Sequence, residues 1–246
     1  MEIDYDALKK RGFLRQKQDG YFLLRLRVSC GNYSAAQLAK AAALATQYGR
    51  GFVHATTRQG LEIPFIRQAD IDAVEREARA AGLATGTSGP RLRTTTCCPG
   101  SNWCKSGLLD TFALCEMLER EGLVCAADLP HKFKITVSGC RNACTRADAA
   151  EVGIHGDFDA VTHAAGCAVC LAGCGGRTPR AGHRLPRLYT PAEAVVIARL
   201  AVAFFRANAQ PRQRLALLVE EIGFAAFLER SGIAAVGAER EQQSVR

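Results

Sequence analysis

No apolar run in the 246 residues approaches the length that crosses a bilayer, so a membrane-spanning role is not expected. The opening MEIDYDALKKRG is polar and mixed in charge, without the apolar stretch of a secretory leader. We therefore expect a cytoplasmic protein. A basic arm of the kind that grips nucleic acid is also missing. The net charge of +8 reads as a mildly basic surface or as a cationic cavity for an anionic ligand. No G-x-G-x-x-G follows a strand, which excludes the usual dinucleotide fingerprint. No internal repeat is visible. What the chain has in excess is cysteine, eleven in all. A reducing cytoplasm disfavours structural disulfides, and an odd count cannot close a disulfide framework. Buried free thiols or metal ligation remain.

Hydrophobic periodicity organises the first half. In YFLLRLRV, residues 21–28, Phe22, Leu24, Leu26 and Val28 share one face and Arg25 and Arg27 the other, which predicts a strand with one apolar side. Ser34 is placed to cap a helix that runs through Tyr48 and stops at Gly49. Residues 52–56 and 61–66 read as a strand pair with Gly60 near the turn, and a charged helix extends from about Asp70 to Gly82. The small, breaker-rich LATGTSGP, residues 83–90, reads as a linker, followed by a strand over about 91–96. The order β-α-β-β-α-β is the ferredoxin-like arrangement. The expected fold class is α+β, with a ferredoxin-like half over 1–87 and a mixed α/β half with C-terminal helices over 88–246. In the second half a helix is expected over about 103–120. Strands are expected over 132–138 and near 151–155 and 166–172, and helices over 191–230 with breaks at Pro211 and Gly223.

Two cysteine pairs sit in loops. CPGSNWC places Cys98 and Cys104 at a C-x5-C spacing, and GCRNAC places Cys140 and Cys144 at C-x3-C. Four thiolates from two loops suit a [4Fe-4S] cube. Zinc is the rival, although structural zinc usually takes tighter pairs. Scattered core cysteines are the plain alternative, and they leave the neighbouring Gly, Pro and Asn unexplained. GCAVCLAGC adds Cys167, Cys170 and Cys174, only three close thiols, which reads either as a buried strand or as part of a second centre.

Together, CPGSNWC and GCRNACTRADAAEVGIHG resemble the sulfite and nitrite reductase hemoproteins, which couple siroheme to a [4Fe-4S] cluster. LLRLR (23–27), TTRQG (56–60), LPHKFKITVSGC (129–140) and RQRLALLVEEIG (212–223) agree in the same order. The resemblance implies Cys98, Cys104, Cys140 and Cys144 as cluster ligands, with Cys144 shared with siroheme and Cys97 a bystander. It implies siroheme contacts from Arg58, Gln59, Asn142, Arg177 and Arg180, to which Arg184 and Arg187 of the same acid-free stretch could add. Arginine suits the siroheme carboxylates because its fork matches them bidentately. Oxyanion binding and protonation fall on Arg25, Arg27, Arg93, Lys132 and Lys134, with His131 beside them as a proton relay. The plain reading of those cations is the wet face of two half-buried strands.

The reaction so implied is six-electron reduction of sulfite to sulfide, or of nitrite to ammonia. The electrons would come from a separate donor, a ferredoxin or a reductase subunit. No nucleic acid or membrane partner is implied. A non-catalytic electron-transfer or sensing protein is the reading from another class. Two departures stand out. LEIPFI follows TTRQG where the family often carries a His-Gly pair, and the chain holds one copy of a repeat that many members hold twice. The second departure predicts either a homodimer or a site completed within one chain.

Overall fold

The computed structural model describes residues 3–86, 88–126 and 128–238. Its internal contacts divide the chain into two compact units, Met1–Ser88 and Gly89–Arg246.

The first unit contains α1 (Tyr5–Lys10), β1 (Phe13–Arg15), β2 (Tyr21–Arg27), α2 (Ala35–Tyr48), β3 (His54–Ala55), β4 (Leu61–Arg67), α3 (Ile71–Ala80) and β5 (Ala84–Thr85). The antiparallel sheet runs β1-β2-β4-β3, and β5 lies on the same edge of β2 as β1. Alternation decides which face is buried: Phe22, Leu24 and Leu26 pack with Ile63 and Ile66 under Leu44, Val74 and Ala78. The Ser34 hydroxyl accepts from the Gln37 N–H while the Gln37 side chain accepts from the Ser34 N–H, a capping box that fixes the start of α2. The ferredoxin-like expectation is borne out with one change. The closing strand is β5, inside the stretch read as a linker, because a two-residue strand is too short to show alternation.

The second unit contains β6 (Thr96–Cys97), α4 (Thr111–Arg120), β7 (Ile135–Ser138), β8 (Val152–Phe158), β9 (Ala165–Leu171), β10 (His183–Tyr189), α5 (Pro191–Asn208), α6 (Leu215–Ile222) and α7 (Phe224–Ser231). Its sheet runs β10-β9-β8-β7-β6, parallel across β6, β7 and β8 and antiparallel beyond. Ile135, Val137, Val152, Ile154, Val169 and Leu171 are wholly buried, and α5 packs on β8, β9 and β10. The Phe133 and Phe205 rings pack at a tilt with centroids 5.4 Å apart, both fully buried. Burying each is worth about 1.5–3 kcal/mol.

The helix expected from about 103 begins only at Thr111. The Asp110 carboxylate accepts from the Phe112 and Ala113 N–H groups and from Asn102 Nδ2, so the chain before it stays a loop. Those same N–H groups and Asn102 hold the Asp110 pKa below the usual carboxylate range. Strand β10 has no counterpart in the expected elements. No helix among the described residues is long and apolar enough to cross a membrane.

Candidate iron–sulfur and oxyanion site

Parity along β6 separates the adjacent thiols. Cys97 pairs with Val137, is 1% exposed, and brings its Sγ within 4.8 Å of that of buried Cys115. Cys98, one residue on, is half-buried where the strand gives way to loop, and its Sγ accepts a hydrogen bond from the Gly139 N–H at 3.0 Å. The two cysteine loops are thus in direct contact. The Leu108 and Leu109 N–H groups both donate to the Gly139 carbonyl, at 2.7 and 3.2 Å.

Glycine makes this approach possible. A Cβ on Gly139 would lie 2.4 Å from the Gly100 Cα, and one on Gly107 would lie 2.2 Å from the Gly100 carbonyl carbon. Gly100 itself has φ +55, the left-handed region that favours glycine. The second loop is closed by the Ser138 and Thr145 hydroxyls at 2.7 Å and by left-handed Ala143 and Arg146. Cys140 is half-buried, while Cys104, Cys144 and Asn142 are exposed.

No three of Cys98, Cys104, Cys140 and Cys144 offer ligand atoms within 4.8 Å of one another, so they do not converge on a single-ion position. Cys167, Cys170 and Cys174 form no such group either. Burial pushes the Cys167 thiol up to about 12 and raises that of Cys170, so both carry their protons at neutral pH.

Arg141, between Cys140 and Cys144, is anchored from below. Asp157 on β8 is fully buried and binds both Arg141 and Arg184 Nη2, the latter at 2.7 Å. Arg141 also donates to the Phe158 carbonyl and stacks 4.2 Å over its ring. Burial alone would raise the Asp157 pKa, but Arg141, the Phe158 N–H and Arg184 bring it below the ordinary value.

At the other end of β7, the Arg93 N–H donates to the Phe133 carbonyl and the Phe133 N–H to the Arg91 carbonyl. Arg93 thereby lies alongside half-buried Lys132 and Lys134, and Arg93 Nη2 donates to the Gly89 carbonyl. Between these cations His131 has a lowered pKa, first from burial and then from Lys132, Arg214 and Arg93. Sequence reasoning missed Arg214 and its buried partner Glu151, whose carboxylate accepts from Arg214 Nε at 2.6 Å and from the Lys134 N–H at 2.9 Å. The available signal was an acid, Glu151, beside small and apolar neighbours in AAEVGIHG.

The remaining expected residues are spread more widely. Arg180 pairs with Glu220, Arg187 donates to the Val236 and Gly237 carbonyls, and Arg177 is exposed. In the first unit Arg25 is paired with Glu62 at 2.6 Å, and Arg27 Nε is buried without a hydrogen-bond partner among the described residues. Arg58 and Gln59 occupy a turn held by the Thr56 hydroxyl, with Gln59 at φ +59.

Residues 88–235 match the model described as "Nitrite and sulphite reductase 4Fe-4S domain". The chain belongs to the nitrite and sulphite reductase family. Residues 14–81 match the family's ferredoxin-like half domain. Among curated relatives, the chain is 34% identical over 154 residues to "Coenzyme F420-dependent sulfite reductase" of Methanocaldococcus jannaschii, covering 62% of this chain and 23% of that protein. It is 30% identical over 200 residues to an anaerobic sulfite reductase component of Salmonella typhimurium, covering 71% of this chain and 56% of that protein. The chain thus spans about a quarter of the first relative and just over half of the second. The solved structure of Mycobacterium tuberculosis NirA matches 95% of this chain and 47% of its own at a TM-score of 0.82 and 22% identity, a likeness of fold.

The family's cofactors are siroheme and a [4Fe-4S] cluster, and cysteine thiolates are the donor type such a cluster takes. Four thiols stand on two loops pressed together through glycines, and the Gly139 N–H is directed at the sulfur of one of them, Cys98. Cys98, Cys104, Cys140 and Cys144 are the thiols on those two loops.

Proposed function

We propose that the protein catalyses the six-electron reduction of sulfite to sulfide with electrons from a separate donor protein. Siroheme coupled to a [4Fe-4S] cluster would pass those electrons on and provide a site for a small oxyanion. The observation that carries the reading is the joint occurrence, on one strand, of a cation cluster at the start of β7 and the paired cysteine loops at its end. Arg93, Lys132 and Lys134 would bind the oxyanion, because cations in a partly desolvated site attract it strongly as negative charge builds. Lysine Nζ groups would donate protons to departing oxygens. His131, kept neutral by burial and its cationic neighbours, would relay protons to them from water. The sulfite reductases among the relatives support this substrate.

Lys134 and Cys140 are six residues apart, about 20 Å along an extended strand. A small ion touching Lys134 is therefore remote from its own chain's second cysteine loop. We infer a homodimer in which the cation end of one copy completes the cysteine end of the other.

The test is anaerobic turnover with a reduced viologen, comparing sulfide from sulfite with ammonia from nitrite by kcat/KM. Faster sulfide production is expected. Faster ammonia production moves the assignment to nitrite. Neither product from a fully loaded protein overturns catalysis.

A further inference from the structure

We infer that Glu151 and Arg214 are positioning residues for the oxyanion site, a buried ion pair that fixes the main chain of Lys134 and so aims the ammonium groups of Lys132 and Lys134. The inference rests on the proposed role of those lysines.

Glu151 is 0% exposed and Arg214 only 9%. One carboxylate oxygen, Oε1, takes Arg214 Nε at 2.6 Å and also faces Nη2, while Oε2 accepts the Lys134 N–H at 2.9 Å. Arg214 Nη1 reaches the Gly175 carbonyl at 3.4 Å, and the Glu151 carbonyl accepts from the Ala172 N–H at 2.9 Å, so the pair is itself held from two sides. The Lys134 carbonyl accepts from the Val152 N–H at 3.2 Å. Lys134 is therefore gripped at both of its main-chain polar groups. Two residues before Lys132, the Pro130 carbonyl accepts from the Arg212 N–H at 2.9 Å, from the same segment that carries Arg214.

The location explains the need for such a brace. Lys134 immediately precedes Ile135, the first residue of β7 paired with β8. The side chain of Glu151 extends the hydrogen bonding by one residue, over the segment that carries both lysines. A charged acceptor makes a shorter and stronger hydrogen bond than a neutral one, and fully buried charges persist only when paired. Removing both charges together leaves no stranded ion in the core, and such apolar replacements are often tolerated. It does leave the Lys134 N–H without its acceptor.

The test compares unaltered protein with Glu151→Leu/Arg214→Leu and with Glu151→Gln/Arg214→Leu, which strands no charge and keeps one acceptor for the Lys134 N–H. Each is purified with its cofactors. Melting temperature, iron content and the siroheme spectrum are recorded, and sulfite is then titrated optically into the resting protein. Glu151→Leu/Arg214→Leu should keep its fold and cofactors and bind sulfite about 10- to 100-fold more weakly, the scale of a misplacement near 1 Å. Glu151→Gln/Arg214→Leu should stay within about threefold of the unaltered protein, because with the guanidinium gone the single amide oxygen is free to accept the Lys134 N–H. Sulfite affinity unchanged in loaded Glu151→Leu/Arg214→Leu overturns the inference. If Glu151→Leu/Arg214→Leu does not fold, Glu151→Asp, which keeps the charge but shortens the reach, decides in its place: weaker binding supports the brace and unchanged binding overturns it. Unaltered protein that neither binds nor reduces sulfite removes the functional reading itself, and this inference with it.

Discussion

Cys97 and Cys98 are the same residue type one position apart, and strand parity gives them different surroundings. Cys97 is sealed in the core beside Cys115, whereas Cys98 meets the second cysteine loop. Replacing Cys98 with Ala should abolish most of the iron–sulfur absorbance and iron content. Cys97→Ala should retain both and cost about 1 kcal/mol of stability, read by denaturant unfolding. His131 gives a pH prediction. Its pKa is lowered in the folded protein, so the unfolded chain binds more protons just below the ordinary histidine pKa near 6.5. The stability associated with His131 is therefore present above that value and lost as pH falls toward the folded pKa. In His131→Gln the decline of melting temperature over this window should be shallower. An identical decline in both proteins would show that His131 does not contribute to it.

At the scale of elements, contact between two loops matters more than any one side chain. Gly139 and Gly107 admit the Gly100 backbone only because they lack a Cβ. Gly139→Ala forces the loops apart or strains them, and overpacking of this kind costs about 1–3 kcal/mol. The expected outcome is a lowered melting temperature together with loss of reconstituted cluster, measured by iron analysis. Phe133 tests the strand itself. It lies fully buried between Lys132 and Lys134 and packs at a tilt against Phe205 of α5. Phe133→Ala should destabilise the protein by about 3–5 kcal/mol in chemical denaturation. Its retained activity per folded, loaded molecule should also fall, because the flanking lysines share its backbone.

At the scale of the whole molecule, the proposed homodimer rests on the separation of the lysine and cysteine ends of β7. Sedimentation of the loaded protein should show a dimer whose dissociation on dilution abolishes sulfite reduction. A fully active monomer would mean that one chain completes its own site. The +8 net charge belongs to this scale too, since it favours approach of anionic substrates and acidic partners in a salt-dependent way.

Much of the fold and the family was legible in the residues, because period-two alternation, capping chemistry and cysteine spacing are local patterns. YFLLRLR and the Ser34 cap formed as the pattern required, and the order of motifs along the chain already carried the family. Strand β5 and the late start of α4 were not legible. The first is set by pairing with β2, and the second by Asp110 bonding across a loop to Asn102 as well as to its own helix. The glycine contact between the cysteine loops, the Asp157 anchor of Arg141 and the Glu151–Arg214 pair join residues distant in sequence. A buried charge is stable only beside its partner, and nothing local to AAEVGIHG or RQRLALLVEEIG says that Glu151 and Arg214 will meet. Residue types and their spacing determined the chemistry available to this protein. Tertiary packing alone decided which charges meet a partner in the core, because the partners lie far apart in sequence.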